Sequence, residues 1–152
     1  MDDLDNRILS ALQSDFPLDP HPYHIIAQKL DTDPETILAR VLALIDQGTI
    51  RRLGASLDSR KLGYSSTLAA VRVPENNVES AAEIINQYPE VTHNYLRENL
   101  FNIWFTLIAP SDHRIATILE EIRIRLALNP DDILNLPVRR LFKLDARFQP
   151  GG

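Results

Sequence analysis

The sequence contains no cysteine among its 152 residues, and it has only one methionine and one tryptophan. The absence of cysteine excludes disulfide bonds, thiolate-bound zinc sites and cysteine nucleophiles. No apolar run is long enough to span a bilayer. The chain starts Met-Asp-Asp-Leu-Asp, without a basic stretch or an apolar run, so we expect no signal peptide, no membrane partner and a cytoplasmic location.

Positive charge is scarce in the first third of the chain. Residues 1–47 hold nine acidic side chains against three basic ones, a net charge of −6, whereas the whole chain carries −5. Proteins that bind DNA draw most of their non-specific affinity from cations that neutralise phosphates. The acidic N-terminal region therefore argues against a specific nucleic-acid partner.

The N-terminal part shows three helical patterns in a row. Apolar spacing predicts a helix over residues 3–13, a short helix over 23–30 and a third helix that starts at Pro34. Asp33 is a good N-cap, Pro34 fits the first helical position and Gly48 closes the helix. Residues 49–57 look extended. This order predicts a winged helix-turn-helix domain over residues 1–60.

The rest of the chain alternates strand and helix patterns. Strands are predicted at 66–73, 91–97 and 101–109, with a last strand inside 134–144 that Pro137 delays. Helices are predicted at 78–88 and after a cap at Asp112, and Gln149 to Gly152 is expected to fray. The order βαββαβ predicts an α+β fold in which residues 61–152 form a ferredoxin-like domain with both helices on one face of an antiparallel sheet.

The two central strands form a hairpin whose register determines which side chains meet. A two-residue loop at Asn99 and Leu100 places Tyr95 opposite Trp104, and a four-residue loop preserves the same pairing. Either loop leaves three aliphatic or aromatic side chains of the second strand for the core. The opposite face then gathers His93, Tyr95, Arg97, Asn102 and Trp104.

Several segments carry a resemblance to known families. The start Leu4-Asp5-Asn6-Arg7-Ile8-Leu9 and the junction Ile50-Arg51-Arg52-Leu53-Gly54-Ala55 resemble the Lrp/AsnC transcription regulators. The segments His93 to Glu98, Phe101 to Leu107 and Leu136 to Lys143 resemble siroheme decarboxylases, in particular the A-type subunits of the heterodimeric enzyme.

The resemblance implies an enzymatic function. It implies a cofactor-independent carboxy-lyase that removes carbon dioxide from two acetate side chains of siroheme, giving 12,18-didecarboxysiroheme on an alternative route to haem. It also implies a heterodimer with a B-type subunit. The alternatives are a DNA-binding regulator of the Lrp/AsnC type and a haem-sensing protein.

This function assigns roles to the polar side chains of the hairpin. We expect His93 to act as general acid, Arg97 to orient a carboxylate, and Tyr95 to relay a proton or stack. Since siroheme carries its own iron, the competing role for His93 is an axial iron ligand. Eight further residues are predicted to bind substrate: Arg51, Arg52, Asn94, Asn102, Trp104, Arg139, Arg140 and Lys143.

No resident metal site or cofactor is predicted. His21, His24 and His113 are interpreted as structural or surface residues, because two neighbouring imidazoles are too few ligands for a metal. In each arginine pair, strand alternation directs one side chain to each face, so at most one of the two points at the site.

Overall fold

The structure is a computed structural model that describes residues 1–143 and 147–148. It divides into two compact units. The helical unit comprises Met1–Ala55 together with Lys143, Arg147 and Phe148, and the sheet unit comprises Ser56–Phe142. The sequence-based boundary after residue 60 lies later than this division, and it assigned all C-terminal residues to the second domain.

The helical unit contains the three predicted helices: α1 (Asp3–Ser14), α2 (Pro22–Leu30) and α3 (Pro34–Asp46). Asp33 caps α3 as expected, since its side chain accepts a hydrogen bond from the backbone N–H of Thr36. Gly48 follows α3 with a φ of +74°, a left-handed conformation that favours glycine. The core of the unit consists of buried aliphatic side chains: Ile8, Ile26, Ala27, Ile37, Val41, Leu44 and Ile50.

The predicted wing strand over residues 49–57 is wrong. The structure assigns no strand to this segment, and residues 51–57 are all exposed. An extended segment forms a β-strand only when a neighbouring strand pairs with its backbone N–H and C=O groups, and the sequence pattern does not show whether such a neighbour is present. Within the described residues, the helix-turn-helix is therefore present without a hydrogen-bonded wing.

The sheet unit has the predicted order βαββαβ. Its elements are β1 (Ser65–Val71), α4 (Val78–Asn86), β2 (Val91–Leu96), β3 (Ile103–Ala109), α5 (Asp112–Arg125) and β4 (Ile133–Pro137), with short 3-10 turns at Glu75–Asn77 and Pro130–Asp132. The four strands form one antiparallel sheet in the order β2-β3-β1-β4. The ferredoxin-like fold is confirmed.

Two details of this unit differ from the sequence prediction. The N-cap of α5 is Ser111, whose hydroxyl accepts from the N–H of Arg114, and Asp112 is the first helical residue. Strand β4 ends at Pro137 instead of starting after it. Proline is tolerated in an edge strand, and β4 is an edge of the sheet. The predicted tail, Gln149 to Gly152, lies outside the described residues.

One face of the sheet packs against α4 and α5. Phe105 and Leu107 of β3 are fully buried there, between the strands and the apolar sides of the two helices. Because strand side chains alternate, Trp104, Thr106 and Ile108 point to the other face. In the part of the chain that the structure describes, no helix has the length and apolar character needed to cross a membrane.

Candidate functional site

The sheet face opposite α4 and α5 carries the candidate site, and we call it the open face. Strand pairing sorts its side chains into two parallel rows across the four strands. One row runs Tyr95, Trp104, Ala70 and Leu134, and the next runs His93, Thr106, Leu68 and Leu136. At a strand spacing of about 4.8 Å, each row is about 14 Å wide.

The floor of the open face is apolar. Leu68 and Leu136 are 39% and 42% exposed, and they lie in the same row as His93. An exposed leucine pair on a sheet face is a surface that favours an apolar ligand or partner. Neither leucine was among the predicted site residues, because the last strand was predicted too late in the chain to pair Leu136 with Leu68.

The hairpin register agrees with the prediction. Tyr95 pairs with Trp104, and the backbone N–H of Arg97 donates to the carbonyl of Asn102 at 2.8 Å. Four residues, 98–101, lie between Arg97 and Asn102, so the four-residue loop is the one present. The side-chain oxygen of Asn99 accepts from the N–H of Leu100 within this loop, at 2.6 Å.

Four of the predicted site residues meet at this end of the open face. The rings of His93 and Tyr95 are stacked, with centroids 6.0 Å apart and planes 19° from parallel. The guanidinium carbon of Arg97 lies 5.9 Å from the ring centroid of Trp104, within cation–π range. The indole N–H of Trp104 donates to the carbonyl of Phe101 at 2.7 Å, which fixes the plane of the ring.

The two predicted asparagine ligands are engaged elsewhere. Asn94 pairs with Phe105 on the helix-covered face, and its amide donates to the side chain of Asn86 on α4. Asn102 lies at the hairpin corner, but both atoms of its amide group hydrogen-bond to the backbone of Val73. The structure therefore does not bring Asn94 to the open face, and it gives Asn102 a role within the fold.

The predicted cations belong to both units of the chain. Arg139 and Arg140 follow the end of β4, at the sheet edge opposite His93, and both are exposed; the Arg140 guanidinium lies 4.8 Å from the ring of Phe142. Arg51, Arg52 and Lys143 are exposed residues of the helical unit. Among the predicted cations of the sheet unit, Arg97 lies at the hairpin corner near His93, whereas Arg139 and Arg140 follow the strand at the far edge.

This arrangement suits a flat, negatively charged ligand. The exposed leucines Leu68 and Leu136 and the two aromatic rings can cover one face of a macrocycle, and Arg97 can pair with a carboxylate at its rim. His93 is exposed beside these groups, so its ring is accessible to a ligand. Within residues 1–143 and 147–148, no cluster of three or more His, Asp or Glu side chains could hold a metal ion.

Comparison with known proteins identifies the family. Residues 5–51 match the siroheme decarboxylase NirDL-like HTH domain, and residues 61–143 match the AsnC-like ligand binding domain. The chain is 42% identical, over 98% of its length and 83% of the relative's, to the siroheme decarboxylase alpha subunit of Nitratidesulfovibrio vulgaris. The chain belongs to the siroheme decarboxylase family.

Solved structures agree with this membership of the siroheme decarboxylase family. The crystal structure of the siroheme decarboxylase NirDL in complex with an iron-uroporphyrin III analogue is similar, with a TM-score of 0.70 and 33% identity over 88% of this chain and 44% of that chain. Escherichia coli AsnC, at 22% identity, shares the fold, with a TM-score of 0.75 over 99% of this chain and 99% of that chain. The predicted family and the Lrp/AsnC-like fold are confirmed.

Proposed function

We propose that this chain is the alpha-type subunit of a siroheme decarboxylase and that it acts with a second, B-type subunit. The observation that supports this most strongly is that a chain 42% identical to a siroheme decarboxylase alpha subunit gathers an imidazole, a guanidinium and two aromatic rings on one sheet face. The similar structure with an iron-uroporphyrin analogue supports a tetrapyrrole as the ligand.

Each decarboxylation exchanges one carbon dioxide for one proton. The bond between the acetate methylene and its carboxylate breaks, the electron pair is delocalised into the pyrrole, and a proton converts the methylene into a methyl group. The tetrapyrrole itself serves as electron sink, so the proposed reaction needs no separate cofactor. The protein must hold the carboxylate, exclude water from it and deliver the proton.

The corner residues match these three tasks. The planar fork of Arg97 can bind a carboxylate bidentately, and the indole of Trp104 beside it can remove water from that carboxylate. We assign proton delivery to His93, because a positioned imidazole can act as a general acid. Tyr95, stacked on His93, supports the ring and offers a hydroxyl to a bound ligand.

The test is a mass-spectrometric assay. The chain, alone and with a B-type subunit, is incubated anaerobically with siroheme, and the products are examined for loss of one and two carbon dioxide units. Loss of carbon dioxide from siroheme in the presence of the B-type subunit supports the proposal. Unchanged siroheme after incubation with a partner that is active with another alpha subunit would overturn it.

Variants then test the roles of individual residues. We expect His93→Gln to lower turnover about 10²- to 10⁴-fold, the usual contribution of a positioned acid. The control is His113→Gln, since His113 is an exposed residue of α5 on the other side of the sheet. Full turnover by His93→Gln with bound siroheme removes His93 from proton transfer. If the absorption bands of siroheme bound to His93→Gln differ from those of siroheme bound to the native chain, His93 is the axial ligand of the iron.

A further inference from the structure

Strand β2 contains one residue more than its partner β3 at the position of Thr92. Val91 pairs with Leu107 and His93 pairs with Thr106, so Thr92 has no partner of its own. In a regular strand Val91 and His93, two residues apart, would share a face. Here Val91 packs against the helix-covered core while His93 lies on the open face. The bulge at Thr92 makes both placements compatible.

The bulge also brings the Thr92 hydroxyl beside the ring that follows it. Successive side chains of a regular strand point to opposite faces, yet the Thr92 Oγ1 lies 3.1 Å from the Nδ1 of His93. The same hydroxyl donates to the backbone carbonyl of Thr106 at 3.4 Å. A hydroxyl carries a single proton, and a carbonyl oxygen can only accept, so a Thr92 hydroxyl that donates to Thr106 offers its lone pairs to His93.

We propose that Thr92 is a positioning residue that holds the proton of neutral His93 on Nδ1 and so presents Nε2 to the substrate. This inference rests on the proposed function. In the described part of the chain, no hydrogen bond occupies Nε2, whereas Nδ1 lies 3.1 Å from the Thr92 hydroxyl oxygen. Which ring nitrogen carries the proton is set by the hydrogen bond that the other nitrogen makes.

The proton balance of decarboxylation fits this tautomer. The imidazolium form carries a proton on each nitrogen, with the Nδ1 proton donated to Thr92. When the bond to carbon dioxide breaks, the Nε2 proton goes to the methylene carbon and the electron pair of the broken bond forms the new C–H bond. The neutral ring that remains has its proton on Nδ1, the form that Thr92 already stabilises. A solvent proton then restores the imidazolium at Nε2.

The first test reads the tautomer directly and needs no substrate. Long-range ¹⁵N–¹H correlation spectra of the whole chain, at a pH where the imidazoles are neutral, distinguish Nδ1–H from Nε2–H rings. His93 is assigned by the signal that His93→Gln removes. We expect the Nδ1–H form in the native chain, a shift towards Nε2–H in the nearly isosteric Thr92→Val, and recovery in Thr92→Ser, which keeps the hydroxyl.

Thr117→Val is the matched control. The Thr117 hydroxyl donates to the backbone carbonyl of His113, not to its ring, so this exchange should leave the tautomer of His113 unchanged. An Nε2–H ring for His93 in the native chain overturns the proposal. So does a His93 signal that is the same in Thr92→Val and in the native chain.

The second test measures turnover. Loss of the hydrogen bond that positions the His93 ring should lower kcat of Thr92→Val about three- to tenfold with little change in KM, and Thr92→Ser should recover most of the rate. If the native chain releases no carbon dioxide, the proposed function fails while the spectra still decide the tautomer. If the native chain is active and Thr92→Val turns over siroheme at the native rate, the positioning role fails and the function stands. If Thr92→Val folds poorly, Thr92→Ser and Thr92→Ala are compared instead, since only the serine keeps the hydroxyl.

Discussion

Replacing Asn102 with alanine should weaken the sheet unit more than its partial exposure suggests. The amide oxygen of Asn102 accepts from the N–H of Val73 at 3.1 Å, and its amide nitrogen donates to the carbonyl of Val73 at 2.8 Å. Its backbone N–H donates to Val71, and its carbonyl accepts from Arg97. One residue thus connects the hairpin corner to the segment that leaves β1.

The size of the effect follows from the two side-chain bonds. A hydrogen bond contributes about 0.5–1.5 kcal/mol net, so losing two costs about 1–3 kcal/mol. Val73 is only 7% exposed, so water replaces its lost partners poorly and the upper half of that range applies. We expect Asn102→Ala to lower the free energy of unfolding of the sheet unit by about 2–3 kcal/mol.

Urea unfolding followed by tryptophan fluorescence measures this change in the intact chain. Trp104 is the single tryptophan, and it lies in β3 two residues from Asn102, so its emission reports the sheet unit. Asn94→Ala is the matched control, since Asn94 makes one amide-to-amide hydrogen bond to Asn86 and should cost less than about 1 kcal/mol. Equal unfolding midpoints for the two variants would refute the proposed connection.

Three further predictions follow from the same contacts and charges. Hydrogen bonds from Arg72, and to a smaller extent from Asn129, lower the pKa of Asp132. The stabilisation that ionised Asp132 contributes is therefore present above its unfolded pKa of about 4 and is lost as the pH falls through the lower folded pKa. The difference in urea midpoint between the native chain and Asp132→Asn should shrink from pH 7 towards pH 3. Phe105→Ala should destabilise the sheet unit by about 3–5 kcal/mol and Phe105→Leu by less than half of that, measured by the same fluorescence assay, because Phe105 is fully buried. At nanomolar concentration the chain should not shift duplex DNA in a gel-shift assay, because residues 1–47 carry a net charge of −6. A salt-sensitive shift would contradict the expectation that this region does not bind DNA.

The hairpin register was predictable because burial and strand alternation impose the same answer. Alternation puts Ile103, Phe105 and Leu107 on the core side of β3, and a slip of one residue in the hairpin would place His93 and Arg97 on that side with them. The cap of α3 was predictable for a local reason, since Asp33 followed by Pro34 satisfies the helix start without help from the rest of the fold. Both features need only information carried by a few neighbouring residues.

The features that were missed depend on distant partners. The segment 49–57 has strand-like composition but pairs with no described strand, and Pro137 ends an edge strand that the sequence placed after it. Ser111 and Asp112 are both good caps, so sequence did not separate them. Leu68 and Leu136 become neighbours on the open face only through the pairing of β4 with β1, which the sequence does not show.

The bulge at Thr92 shows why the site is harder to predict than the fold. It carries no glycine and leaves the apolar pattern of β2 nearly unchanged, so neither composition nor periodicity reveals it. Its location has a physical reason, because β2 is an edge strand and an extra residue there interrupts one ladder of hydrogen bonds instead of two. The sheet can therefore keep Val91 in the core and turn His93 outward at small cost. On a central strand such as β3, the same change would break the pairing that supports Trp104.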